Sequence, residues 1–212
     1  MPPETAALPA GFVERVGLTP ERKRDVAVFR ERLAAVNQQV NLVGASTLDA
    51  FWTRHFVDSA QLLWFSPKTL TWADLGSGAG LPGLVLAILL NDRPGAHVHL
   101  IESMAKRCRF LTEVVDTLGL PATVHNVRAE ELRLSVEVVT ARACARLPRL
   151  LGFAEPYFDL GARAVFLKGA GLDTELAEAR LRWRFEAETV TSLSDARGRL
   201  VFMRGLARVG GR

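Results

Sequence analysis

Three carboxylates stand at even intervals beside a glycine-rich turn: Asp74, Glu102 and Glu130 are each 28 residues from the next. The first of them opens the segment WADLGSGAGLPGLVLAILL (Trp72–Leu90), whose four glycines expose bare backbone between a strand-like and a helix-like run. Gly76 and Gly78 permit backbone angles and close approach that a Cβ would obstruct. Such a turn suits a nicotinamide dinucleotide, a phosphate or another adenosine-bearing cofactor. Gly78-Ala79-Gly80-Leu81-Pro82-Gly83 is a literal GxGxxG, and Glu102 ends the next strand-like run, where a ribose-binding acid is expected. An NAD(P)-dependent oxidoreductase is therefore one reading. Asp74 opposes it, because a carboxylate two residues before Gly76 would repel a pyrophosphate and attract an ammonium group. S-adenosylmethionine carries ammonium and sulfonium groups and no phosphate. Acids beside its amino group, its ribose hydroxyls and its adenine would form a matching cradle, so methyl transfer is the leading chemistry.

Basic residues point to a polyanionic partner. The chain carries a net charge of +4, and 23 of its 27 basic residues are arginine, a skew that a GC-rich genome would also produce. Lys106, Arg107 and Arg109 open a predicted helix against the sense of its dipole, which RNA phosphates would explain. Arg54, His55, Arg146 and Arg149 are further RNA candidates. Arg142, after the fourth predicted strand, suits a cofactor carboxylate or a phosphate. Lys168 follows the fifth and joins the RNA candidates. Aromatic residues make up only 8% of the chain and no RNP-type motif occurs, so shape and backbone recognition fit better than base stacking. A non-catalytic RNA-binding module on an inherited cofactor fold is a third reading. After the fourth strand, TARACARLPRL lacks the Asn/Asp-Pro-Pro-aromatic element of exocyclic amino methylation. Cys144 lacks the preceding proline of cytosine-C5 chemistry and reads as a small packing residue. Neither cysteine has metal-ligand spacing and the four histidines are not expected to cluster, so no metal is expected.

These residues need a scaffold, and the chain length of 212 with 49% hydrophobic residues suffices for one well-buried domain with an appendage. Residues 1–18 read as a loose arm. Thr19-Pro20 starts a helix with Val26, Phe29, Leu33, Val36 and Val40 on one face, and a second helix is expected over Leu48–Phe65. From about Leu70, β-rich and helical runs alternate, implying a mostly parallel sheet of seven strands with helices on both faces and an antiparallel final hairpin. The organisation expected is an N-terminal arm and helical cap over 1–66 and a cofactor-binding domain over 67–212. No secretory signal and no run long enough for a membrane span are found, and two cysteines, Cys108 and Cys144, argue for a reducing cytoplasm; a monomer is expected.

The motifs DLGSGAGLPG (74–83), LIES (100–103), KRCRFL (106–111), RAEE (128–131), ARACA (141–145) and FLKG (166–169), with NLVG (41–44) and RHFVDS (54–59) upstream, resemble in order and spacing the bacterial ribosomal RNA small subunit methyltransferase G family. The resemblance runs from about Asn37 to Arg204. It implies a Rossmann-like class I S-adenosylmethionine-dependent methyltransferase acting on N7 of guanine 527 in the decoding-region loop of 16S rRNA. The substrate would be that RNA, the 30S subunit or an assembly intermediate. By the same resemblance Gly76, Leu81, Ala129, Glu130 and Arg142 contact the cofactor, with Gly78 in the turn, and Glu102 holds the ribose hydroxyls. Val36 and Val43 depart from the family pattern, where Trp and Thr are common.

Overall fold

A computed structural model describes residues 9–210. Phe12 and Val16 lie one helical turn apart and are buried in the short helix α1 (Phe12–Val16), with Phe12 stacked on Trp64 at 5.7 Å between ring centroids. The expected loose arm is thus docked from Phe12 onward; residues 1–8 lie outside the described region. In α2 (Pro20–Val40), Thr19 accepts the Arg22 amide and Pro20 occupies the first turn, while Val26, Phe29 and Leu33 are buried at helical spacing. Asn41, at φ 46°, ends it in the left-handed region.

A separate short turn, α3 (Ala45–Leu48), precedes the helix expected over Leu48–Phe65. That helix is continuous from residue 51 to 65, but its first part is a π-helical stretch (Trp52–Val57) that runs into α4 (Asp58–Phe65). Such wide turns concentrate at functional sites. Tertiary bonds of His55 and Asp58 hold this one, and apolar periodicity does not encode them.

The remaining elements alternate as expected: β1 (Thr71–Leu75), α5 (Gly83–Leu90), β2 (His97–Ile101), α6 (Ala105–Leu118), β3 (Ala122–His125), a 3-10 turn (Ala129–Glu131), β4 (Val138–Arg142), α7 (Leu147–Phe158), β5 (Arg163–Lys168), α8 (Leu172–Arg180), β6 (Trp183–Thr191) and β7 (Arg199–Arg208). The strand order is β3-β2-β1-β4-β5-β7-β6, parallel except for β7, which is antiparallel to both its neighbours. All eight residues of α5 are buried. A helix without a polar face must be enclosed, and α5 lies between the sheet and the helices α2 and α4. α7 and α8 cover the opposite face. The order reverses between β1 and β4, so the ligand crevice of this topology falls at their carboxyl ends.

The histidines depart from the sequence reading. His97, His99 and His125 cluster at the β2–β3 edge with their rings tilted to one another, centroids 4.7 and 5.2 Å apart and His99 Nδ1 3.0 Å from His125 Nε2. Strand alternation puts His97 and His99 on one face, and the register Ile101–His125 brings in the third. Burial, with His97 and His125 beside it, pushes His99 down to about 4 and leaves it neutral. Among the described residues no group of three His, Cys, Asp or Glu is arranged to hold a metal ion, and no helix is long and apolar enough to cross a membrane.

Candidate active site

At the end of β1 the glycine turn is tied to the neighbouring strand: the Gly76 and Ser77 amides both donate to Ile101 O, at 2.8 and 3.0 Å. Gly76, Gly78 and Gly80 have φ of 67°, 52° and 82°, the region that favours glycine. Their surroundings differ. A Cβ on Gly76 would lie 2.6 Å from Cys144 Sγ, whereas one on Gly78 would meet nothing closer than 3.6 Å. Gly76 is therefore required by the packing of the β4 loop beneath it, and Gly78 faces the open cleft. Cys144 has the packing role expected of it; burial pushes its thiol up to about 11, so it stays protonated.

The three acids do not form one open rim. Asp74 is fully buried, and its Oδ2 accepts the Gly83 amide at 3.0 Å at the start of α5. Burial lifts its carboxyl to about 7, against the opposing pull of the Gly83 amide, Ser77 and Arg142. Glu102 is 4% exposed; its Oε2 accepts the Gly78 amide at 3.1 Å and its Oε1 the Met104 amide at 2.8 Å. Only Glu130 is exposed, and it borders a different groove beside Arg149 and Trp183. The expectation that Asp74 faces a cofactor ammonium is corrected accordingly. A tight turn and two helix starts generate amide donors that need acceptors, and the nearest acids supply them.

The cleft above the turn has a volume of about 560 Å³, within the range of small-molecule sites. Gly76, Gly78 and Leu81 form one wall, and Thr47, Arg54 and Asp58 of the N-terminal helices form the opposite one. Arg142, at the end of β4, joins them. Its Nη1 lies 3.0 Å from His55 Nδ1, 3.2 Å from Arg54 O and 3.2 Å from Asp58 Oδ2, three acceptors that share its two hydrogens. Asp58 Oδ1 accepts from Ser194 Oγ at 2.8 Å and Gln61 Nε2 at 3.1 Å, and the Leu193 amide donates to Gln61 Oε1. The β6–β7 turn is thereby locked to α4 and brings Asp195 and Arg199 to the rim. Sequence reasoning missed Asp58, Gln61, Ser192 and Ser194. RHFVDS marked the region, but nothing along the chain links Gln61 to a serine 131 residues away.

The predicted basic residues divide. Lys106 and Arg109 are exposed on the first two turns of α6, and Arg54 is exposed at the cleft rim. Arg107 turns inward to Glu102 at 3.5 Å, which accounts for one cation at that helix start without RNA. His55 is 6% exposed, with its ring between Arg142 and Thr47. Lys168 is paired with Glu175 at 2.6 Å and donates to Ala145 O, and Arg146 pairs with Glu178 at 2.8 Å on the surface.

A crevice at this switch point, floored by a glycine turn, fits a nucleoside cofactor, and comparison with known proteins identifies which. A family model described as GidB, rRNA small subunit methyltransferase G, matches residues 22–201. The chain belongs to that family. A ribosomal RNA small subunit methyltransferase G from Caulobacter vibrioides is 55% identical over 207 residues, covering 98% of this chain and 96% of the relative. One from Parvibaculum lavamentivorans is 48% identical, covering 80% and 76%. A SAM-dependent methyltransferase structure from Aquifex aeolicus superposes with a TM-score of 0.56 at 16% identity, over 73% of this chain and 92% of that one. The fold is accordingly the Rossmann-like class I methyltransferase fold. Membership of the family carries methyl transfer to ribosomal RNA with S-adenosylmethionine as donor. The oxidoreductase reading is set aside.

Proposed function

We propose that this chain methylates N7 of a guanine in 16S rRNA, presented in the small subunit or an assembly intermediate, with guanine 527 as the target by family resemblance. One observation carries the choice of atom: His55, Asp58, Glu175 and Asp195, the groups lining the cleft that could take a proton, are each bonded within the protein, Asp195 to the Arg197 amide. Both nitrogens of His55 are bonded, to Arg142 and Thr47. Burial, then the charges of Arg142 and Arg54, pushes its imidazole down to about 4. Asp58 is bridged to Arg142 and Glu175 to Lys168. Guanine N7 carries an in-plane lone pair and attacks without losing a proton, so alignment and electrostatics suffice. The donor supplies a methyl group made electrophilic by its sulfonium.

Gly76, Gly78 and Leu81 would bound the adenosine side of the donor, with Glu102 holding the turn through the Gly78 amide. Arg142 would face its carboxylate. Exposed Lys106, Arg109 and Arg54 would receive RNA phosphates, joined by Arg197 and Arg199 on the β6–β7 turn, which sequence reasoning did not single out. The cleft's location at the strand ends and its basic rim support these roles. Incubation with labelled S-adenosylmethionine and unmodified 16S rRNA or 30S subunits, followed by nucleoside mass analysis, tests the reading. N7-methylguanine at one position is expected. Label on an exocyclic amine would overturn the chemistry, and no incorporation on either substrate would favour the non-catalytic binding module.

A further inference from the structure

A guanidinium has only donors, so the His55 nitrogen that meets Arg142 must be bare. His55 Nδ1 lies 3.0 Å from Arg142 Nη1, and Nε2 lies 2.9 Å from Thr47 Oγ1. Thr47 Oγ1 donates in turn to Gly44 O at 2.7 Å, leaving a lone pair for Nε2–H. These bonds are mutually consistent only for the neutral Nε2–H tautomer. All the protein bonds of Arg142 run through Nη1; among the described residues Nε and Nη2 find no acceptor. Arg142 is 18% exposed and lines the cleft. We propose that His55 is a positioning residue: its bare Nδ1 and the Asp58 carboxylate hold one edge of Arg142 so that the other edge is presented to the carboxylate of the methyl donor. The inference rests on the donor site described above. It gives the π-helical stretch (Trp52–Val57) a function, since that stretch carries His55.

Two substitutions separate the two nitrogens. His55→Asn would place an amide oxygen near the Nδ1 position, where it can still accept from Arg142. His55→Gln would carry its amide out to the Nε2 position and leave Arg142 without that acceptor. Titration with S-adenosylhomocysteine should show affinity about tenfold weaker in His55→Gln and within about threefold of the parent in His55→Asn. Imidazole ¹⁵N NMR of the ligand-free protein should show His55 with Nδ1 unprotonated and Nε2 protonated. The opposite tautomer would overturn the proposal whatever the affinities. So would equal affinity loss in both variants, or lowered melting temperatures with unchanged binding, the mark of a purely structural histidine. Failure of the parent protein to bind S-adenosylhomocysteine would instead strike the donor-site reading, and the NMR result would stand apart from it.

Discussion

On the glycine side of the cleft the wall is backbone: three left-handed glycines, amides tied to Ile101 O, and two buried acids whose oxygens accept the Gly78, Gly83 and Met104 amides. On the opposite side the wall is side chain: Arg142, His55, Asp58 and two serines, backed by buried Gln61 and interlocked across elements up to 136 residues apart. The backbone wall is short-range and its requirements are steric. The side-chain wall is long-range and its requirements are hydrogen-bonding. Each should therefore fail differently under mutation.

The largest contrast lies within the glycine wall itself. An Ala at position 83 would drive its Cβ into Leu100 and to 2.6 Å from Asp74 Oδ2, where the sheet and α5 leave no room. We expect Gly83→Ala to lose about 1–3 kcal/mol, the usual cost of overpacking a core, read as a lowered urea midpoint. At Gly78 the nearest atom is 3.6 Å away, so an Ala there faces left-handed strain of about 1–2 kcal/mol and intrudes on the cleft instead. Gly78→Ala should weaken S-adenosylhomocysteine binding more than it weakens the fold. Equal losses of stability and affinity in the two variants would erase the distinction between packing and ligand-facing glycines.

The same contrast explains what could be read beforehand. The strand–helix alternation, the hairpin and the crevice at the glycine turn were legible because they follow from period and turn chemistry, which are local. Spacing finds the acids but not their bonds: buried Asp74 satisfies the Gly83 amide, and Glu102 accepts the Gly78 and Met104 amides at the strand end where a ribose-binding acid is expected. The π-helical stretch inside the expected helix, the docking of Phe12 and the histidine cluster all depend on partners distant in sequence, so one-dimensional pattern does not signal them. RHFVDS was visible as a motif and mute as to mechanism, because its partners Arg142 and Ser194 lie beyond its own elements.

Asp74 sharpens the comparison through pH. Its carboxyl is pushed up to about 7 in the folded chain, chiefly by burial, against an ordinary value of 3.8. Between those limits the folded state keeps a proton that the unfolded state has released, so stability falls as pH rises, at most by about 1.4 kcal/mol per unit, and levels off above 7. Asp74→Asn keeps an acceptor for the Gly83 amide and removes the titration. Urea midpoints measured from pH 4.5 to 8.5 should show the parent losing ground to the variant across the lower part of that range. A difference independent of pH would mean that the carboxylate is charged throughout, and that the wall is more open to water than its burial indicates.

The smallest effects belong to the rim, where charges are solvated and individually weak. Lys106 and Arg109 stand exposed at the start of α6, while Lys168 is tied to Glu175 and Ala145 O. A cation that meets a phosphate releases counterions, so its loss lowers the slope of log affinity against log salt by about 0.7–0.9 per contact. Lys106→Ala and Arg109→Ala should each shift the slope for 16S rRNA binding by roughly that amount, with S-adenosylhomocysteine affinity unchanged. Lys168→Gln should leave the slope alone, because its charge already faces a carboxylate inside the protein. If Lys168 moves the slope and the α6 pair does not, the RNA enters across β5 instead of α6, and the cationic side of the cleft must be redrawn around the Lys168–Glu175 pair opening to the substrate.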